Sequence, residues 1–467
     1  MHPRLALALA LLVMPVAPVF AQPSLQETLL RAKPAVAIVI AEVAAEVTVR
    51  CGAGDAVTVT TAPFRESGTG FFVSPNGWMI TNAHLVTPAH QSPKWLLNHH
   101  AEKGVRAACV PGLLARQALA PGQRRDVEDQ ITRQVLVGAL PSAKTVLQPS
   151  ISVILPNGAR LAAKVVKYSP PVAGAAMAGR DLALLRLEAA DMPSLTLGDS
   201  TQTKIGDKLH IIGFPGVVMT HELLNAAAKV EATVTSGAVS GFQQDVANQP
   251  LIQTDAAAAT GASGSPAVGT DGRVLGVLSF VTSDQGTVVQ GFNFVLPAAA
   301  LLDFLKGTGV PLDEPSKFNT AWYAALSEHF AGNYSRAARH LQEANRLVPE
   351  LPDVRRLSAE NEERRKSEPF LPWRTVAAGV LVACAVGFAA LAARRWRRNR
   401  FRVRPAEVAR LVETENPPVI LDVRDAPTYA KSPVRIPQSM HVTPEELAQA
   451  EPSLDIDRGR LIVAYCT

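Results

Sequence analysis

Short β-branched, apolar runs punctuated by turn residues predict a mainly β fold for the first two thirds of this chain, followed by helical and α/β segments. Three observations carry that reading. Ser67–Val73 and Gly77–Val86 flank the turn Ser74-Pro75-Asn76-Gly77, and Ser152–Leu155 and Arg160–Val166 flank Pro156-Asn157-Gly158, so each reads as a strand pair. The composition, 47% apolar with 19% charged residues, describes packed domains plus membrane segments rather than a disordered chain. Thr375–Ala393 is a run of 19 residues without a charge, nearly enough at ~1.5 Å per residue to cross a ~30 Å hydrocarbon core.

Residues 1–21 carry Arg4, an apolar stretch and Val19-Phe20-Ala21, the pattern of a secretory signal peptide; an uncleaved anchor is the alternative, and either would export the protease region. Pro34–Val49 then fits an opening strand. Residues 88–145 interrupt the β pattern. There Trp95–Val110 and Asp126–Leu140 have helical periodicity with interleaved charges, so a mostly helical insertion is expected. His90, His99 and His100 lie in it without carboxylate or cysteine partners at ligand spacing, and no metal site is assigned. Lys208–Gly213, Arg273–Leu278 and Gly291–Leu296 supply further strands, and Ala299–Lys306 begins a closing helix.

Three motifs point to chemistry. Thr260-Gly261-Ala262-Ser263-Gly264 sets a serine between two glycines after an apolar strand, where the N–H groups of Gly261 and Ser263 can turn into one cavity. A hydroxyl is a poor nucleophile at its own pKa, so this reading requires a general base and an acid to orient it. His84, after the strand Met79-Ile80-Thr81, and Asp181, before Leu182-Ala183-Leu184, are the candidates. Their order along the chain is His, Asp, Ser.

Thr81-Asn82-Ala83-His84, Asp181-Leu182-Ala183-Leu184, Val234–Ser240 and Gln253-Thr254-Asp255-Ala256-Ala257 resemble the HtrA/Deg-type trypsin-like serine proteases, over roughly residues 35–305. The resemblance implies a chymotrypsin-like double β-barrel at about 30–308 with its site in the crevice between barrels. It also implies a catalytic triad of His84, Asp181 and Ser263, an oxyanion hole of Gly261 and Ser263, polypeptide substrates and no cofactor. Ala262 and Ser265 depart from the family pattern, which has Asn or Asp and Gly there; neither change removes an oxyanion N–H. Ala257 stands where proteases for basic substrates hold an acid, so apolar substrate side chains are expected, with Phe294 as a second pocket residue. A peptide-binding protein without activity, or a membrane-spanning signalling protein, is the rival reading.

Beyond the protease region, residues 316–366 carry a two-helix pattern in which Gly332, Tyr334, Ala337, Ala344 and Pro349 fall at tetratricopeptide-like positions; a bare helical spacer is the alternative. One such repeat cannot bury its own face and must pack on the protease or a partner. Residues 375–393 read as a single membrane span. Seven arginines between Arg394 and Arg404 come directly after it, which puts the carboxyl side in the cytoplasm and the protease on the periplasmic side of a bacterial inner membrane. The net charge of +5 thus has a location, and no basic face interleaved with aromatics suggests nucleic acid. Gly379, Ala383 and Gly387 share one face of this helix, an arrangement that would let two copies associate.

Residues 405–467 resemble the front half of a rhodanese-like domain, through Val419–Arg424, Ile436-Pro437 and Leu461–Cys466. Cys466 falls at the sulfur-carrying position. With only Thr467 after it, no sulfurtransferase activity is expected of this sequence. Cys51 and Cys109 are the only cysteines before the membrane run. An oxidising compartment permits their pairing, which would tether the insertion to the first barrel; two buried thiols are the alternative.

Overall fold

The structure, a computed structural model, describes residues 23–116, 124–170, 180–216, 225, 228, 230–245, 248–284, 287–312, 314–367, 373–449, 454, 456–457 and 459–466. The expected signal peptide therefore lies outside the described residues. The chain divides into two units, 1–368 and 369–467.

Twelve strands of the first unit close into two antiparallel barrels. The first contains β1 (Val36–Arg50), β2 (Ala56–Ser74), β3 (Trp78–Thr81), β4 (Lys144–Ile154), β5 (Arg160–Ser169) and β6 (Leu182–Leu187), in the order β1-β2-β3-β6-β5-β4. The second contains β7 (Lys208–Gly213), β8 (Thr233–Gln244), β9 (Pro250–Thr254), β10 (Pro266–Gly269), β11 (Val274–Asp284) and β12 (Thr287–Pro297), in the order β10-β11-β12-β9-β8-β7. Two closed six-stranded barrels are the chymotrypsin-like arrangement.

Side-chain alternation explains why these strands read as continuous apolar runs. Ile38, Phe71, Ile80 and Leu184 share a buried cluster with Ile212, Val268, Val277 and Leu296 of the second barrel. Their neighbours Val39, Phe72, Met79 and Leu185 point the other way, into a cluster with Phe318, Trp322, Ala325 and Leu326. Strands buried on both faces lose the apolar–polar alternation of a half-exposed sheet. At roughly 25 cal/mol per Å² of apolar area, such burial is the main stabilising term.

Those last four residues belong to the helix Lys317–Phe330, which precedes Tyr334–Leu347 and Pro352–Arg365. The expected two-helix pattern is thus completed by a third helix, and the group lies on the first barrel. Trp322 Nε1–H donates to the carbonyl of Leu30 (2.7 Å). Lys33 Nζ contacts Asp353 at 2.8 Å and Glu231 at 3.0 Å, and Arg356 contacts Glu231 at 2.6 Å.

Between β3 and β4 come the helices Ala83–Gln91, Lys94–Leu114 and Arg124–Ala139. The helical insertion was expected from residue 88; its first helix starts five residues earlier, and His84 stands in that helix's first turn rather than at a strand end. Asn82 is the cause: it takes the extended N-cap conformation (φ −78°, ψ 146°) directly after Thr81. The longer helices cover the β1–β2 ribbon where it extends beyond the barrel. Gly104 makes this approach close, since a Cβ there would lie 2.3 Å from Cβ of Val47.

Cys51 and Cys109 are joined, with Cα atoms 5.4 Å apart and 58 residues between them in sequence. Closing a loop of that length restricts the unfolded chain by about 4 kcal/mol in the chain-entropy account. Replacing both cysteines by serine should therefore lower the urea midpoint and expose the 83–142 helices to trypsin first. An unchanged midpoint would show that helix packing alone holds the insertion.

In the second unit, the helix Trp373–Asn399 contains the apolar segment Val376–Asn399, of mean hydropathy 2.4, long and apolar enough to cross a membrane by length and composition. After it, β13 (Val419–Asp422), β14 (Met440–His441) and β15 (Ile462–Tyr465) form a parallel sheet in the order β14-β13-β15. Asp422, fully buried, accepts from Arg424 Nε (2.8 Å) and from the Tyr465 hydroxyl (2.6 Å). The Arg424 guanidinium, with Tyr465, holds the Asp422 carboxyl far below the usual range. Cys466 comes directly after β15 and is exposed.

Candidate active site

Three strand ends converge on Asp181, which is 1% exposed. Its Oδ1 accepts the backbone N–H of His84 (2.9 Å), and its Oδ2 accepts Nδ1–H of His84 (2.8 Å) and the hydroxyl of Ser279 (2.9 Å). Its main-chain carbonyl accepts Nδ2–H of Asn82 (2.9 Å) and N–H of Ala83 (3.2 Å). Asp181 has φ +43°, a conformation that is strained for a residue with a side chain. Five hydrogen bonds determine that conformation.

An ionised carboxylate only accepts, so the proton between Asp181 and His84 resides on Nδ1. Nε2 is then the ring's lone-pair nitrogen, available to a base's task. Burial alone would push the imidazole's pKa down. The hydrogen bond and charge of Asp181, with a smaller contribution from Glu66, outweigh it and hold His84 above its ordinary value.

The loop before β10 has an unusual accounting of hydrogen bonds. Every carbonyl from Ala259 to Ser263 is engaged. Ala259 accepts from Ala262 N–H (3.0 Å), Thr260 from Gly216 N–H (2.7 Å) and Ala262 from Ser265 N–H (3.0 Å). Thr69 supplies the other two, its hydroxyl to Gly261 (3.1 Å) and its N–H to Ser263 (2.8 Å). Among the described residues, the N–H groups of Gly261 and Ser263 find no acceptor. Gly264 permits this packing: at φ +86°, a Cβ would lie 1.9 Å from the carbonyl oxygen of Thr69. The Ser263 side chain is partly exposed, and its hydroxyl has no partner among the described residues.

Partly exposed hydroxyl, oriented imidazole and two unclaimed N–H groups are the parts that acyl transfer requires. Residues 68–277 match the family of trypsin-like peptidase domains. They form a trypsin-type serine protease domain. Relatives include proteins named "Probable periplasmic serine endoprotease DegP-like". That of Chlamydia muridarum is 33% identical over 152 residues, covering 32% of this chain and 26% of the relative. That of Hahella chejuensis is 36% identical over 135 residues, covering 28% and 26%. That of Chlamydia pneumoniae is 32% identical over 235 residues, covering 50% of this chain and 32% of the relative. The matches thus span a third or less of these relatives' length. Among solved structures, the HtrA-type protease AlgW with decapeptide is 22% identical, with 61% of this chain and 67% of that one aligned, at a TM-score of 0.36.

Within the protease domain, Ala257 lines a cavity of about 400 Å³ with Ile211, Gly213, Pro215, Thr233 and Ala262. Phe294 does not line it, which corrects the sequence reading. On β12 successive side chains alternate, so Phe294 packs against the core between the barrels. Its neighbour Asn293 donates from Nδ2 to the Ala256 carbonyl (2.7 Å), and so is the β12 residue that meets this segment. Ala262 is buried with Ala256, Ala258 and Leu278. Among the described residues no cluster of metal-ligating side chains occurs. His100 is buried with Nδ1 2.7 Å from the Thr61 hydroxyl, and His90 packs on the ring of Tyr168.

Motif reading missed Thr69, Asn82 and Ser279 as site residues. Ser279 left one signal, a lone hydroxyl within the apolar run Val274–Phe280.

Proposed function

We propose that this chain is an exported, membrane-anchored endopeptidase that hydrolyses peptide bonds of envelope proteins by a Ser263–His84–Asp181 triad. The observation that carries this is the pair of unclaimed N–H groups at Gly261 and Ser263 on a loop whose carbonyls are all engaged. Such donors, fixed before substrate arrives, stabilise charge that develops on an attacked carbonyl; one is typically worth ~10²–10³ in turnover.

In the proposed reaction Ser263 Oγ attacks the peptide carbonyl carbon, and its proton passes to Nε2 of His84. The carbonyl oxygen gains negative charge facing the Gly261 and Ser263 N–H groups. His84 then gives the proton to the departing amine, leaving an acyl-serine that water hydrolyses by the same route in reverse. Asp181 keeps Nδ1 protonated and stabilises the imidazolium in between.

The apolar helix supports anchoring by 375–393, and the arginines at 394–404 support a cytoplasmic carboxyl end. Residues 316–366 serve as a tetratricopeptide-like element docked on the protease, and 405–467 as a rhodanese-like segment with Cys466 at its edge. A fluorophosphonate probe tests the catalytic reading: it should label the full chain at Ser263, with concurrent casein hydrolysis. No label and no hydrolysis in membranes carrying the protein would refute it.

Cleavage should occur after small or medium apolar residues. The one carboxylate lining the Ala257 cavity, Asp255, is exposed and its Oδ1 accepts from Ala238 N–H (2.6 Å). A lysine or arginine entering such a site would lose hydration without gaining a buried partner. A peptide-library profile dominated by Lys or Arg would overturn this expectation.

A further inference from the structure

We infer that Thr69 is a positioning residue for the oxyanion donors, acting from the first barrel on a loop of the second; this rests on the reading of the chain as a protease. Thr69 is fully buried. Its hydroxyl donates to the Gly261 carbonyl (3.1 Å) and accepts the N–H of Phe214 (3.1 Å), while its own N–H donates to the Ser263 carbonyl (2.8 Å). One residue therefore grips the carbonyls of both residues whose N–H groups face the substrate.

Peptide planarity gives this grip its consequence. The N–H of Gly261 is coplanar with the Thr260 carbonyl, which is held by Gly216 N–H at 2.7 Å. Thr69 fixes the next plane through the Gly261 carbonyl, and through Phe214 it also fixes the turn that carries Gly216. Both sides of the Gly261 Cα are then anchored, and the N–H direction is set. The hydroxyl is needed as donor and acceptor at once, which Ser or Thr supplies and Val does not. Thr69 is itself located from the other strand, because its carbonyl accepts the Thr81 hydroxyl (2.7 Å), three residues before His84. Base and oxyanion donors are thus registered to each other through one backbone link.

Thr69→Val keeps the shape and removes only the hydroxyl. In the full chain, kcat on an apolar peptide substrate should fall about 10- to 100-fold, part of the value of a lost donor, with KM within about 3-fold of wild type. Affinity for a tripeptide ending in valinal, whose serine adduct presents an oxyanion, should fall by the same factor as kcat. Thr69→Ser should recover most of both. Wild-type kcat in Thr69→Val overturns the inference. So does a loss of kcat that Thr69→Ser fails to restore, or one unaccompanied by weaker aldehyde binding; either would indicate a packing role. A wild-type chain that neither hydrolyses peptides nor takes fluorophosphonate overturns the protease reading instead, and this inference with it.

Discussion

Ser263→Ala should lower kcat on peptides by about 10⁶ while leaving the chain as stable as wild type. The magnitude comes from removing the nucleophile of a triad that acts as a unit, with residual rate left to the oxyanion donors and binding. The indifference of stability comes from where Ser263 is held. Its carbonyl accepts from Thr69 and its hydroxyl bonds to none of the described residues, so alanine removes no fold contact. A partly exposed site of this kind shifts stability by about 0.5 kcal/mol or less. Casein zymography beside a thermal melt checks both halves. Activity within tenfold of wild type would place the nucleophile elsewhere, and a collapsed melt would show that Ser263 has a structural task. Comparison of new protein N-termini in cells carrying wild type and Ser263→Ala would then identify natural substrates.

What the sequence disclosed about this site was its local chemistry. His84, Asp181 and Ser263 each stand in a short motif, and the strands around them are apolar enough to be recognised singly. The residues that hold them were hidden because their partners are distant in sequence. Ser279 reaches Asp181 across 98 positions, and Thr69 reaches Gly261 across 192. Neither contact leaves a local pattern, since a serine or threonine within an apolar strand reads as an ordinary interior residue until its partner is known. Phe294 illustrates a second limit. A period of two makes adjacent residues serve opposite faces, and without the register of β9 against β12 the sequence cannot say whether Phe294 or Asn293 faces Ala256. The start of the helix at Ala83 is a third case, because the strand and helix meet at Asn82 with no glycine or proline to mark the change.

Asp181→Asn should lower kcat by about 10⁴, by analogy with the same change in other triads, and should move the acid limb of the pH profile downwards. Asparagine has one acceptor oxygen where Asp181 has two, yet three donors converge there: His84 N–H, His84 Nδ1–H and the Ser279 hydroxyl. The amide's own N–H₂ must face at least one of them. The ring can relieve that conflict by moving its proton to Nε2, where it can no longer accept the proton of Ser263. The pH shift has a definite sign. Burial lowers the His84 pKa and Asp181 raises it further, so in wild type the imidazole stays protonated to a higher pH than a free one. Catalysis needs the neutral ring, and the wild-type acid limb should therefore lie above the ordinary histidine value of about 6.5. With the charge gone, burial dominates and the limb should fall below that value. Stability carries the matching sign: the contribution of the charged pair is complete below the unfolded histidine pKa and fades as pH rises through the raised folded one. Profiles of kcat/KM against pH for both proteins decide the matter. An Asn variant within tenfold of wild type, or one whose acid limb stays in place, would show that Asp181 does not orient this histidine.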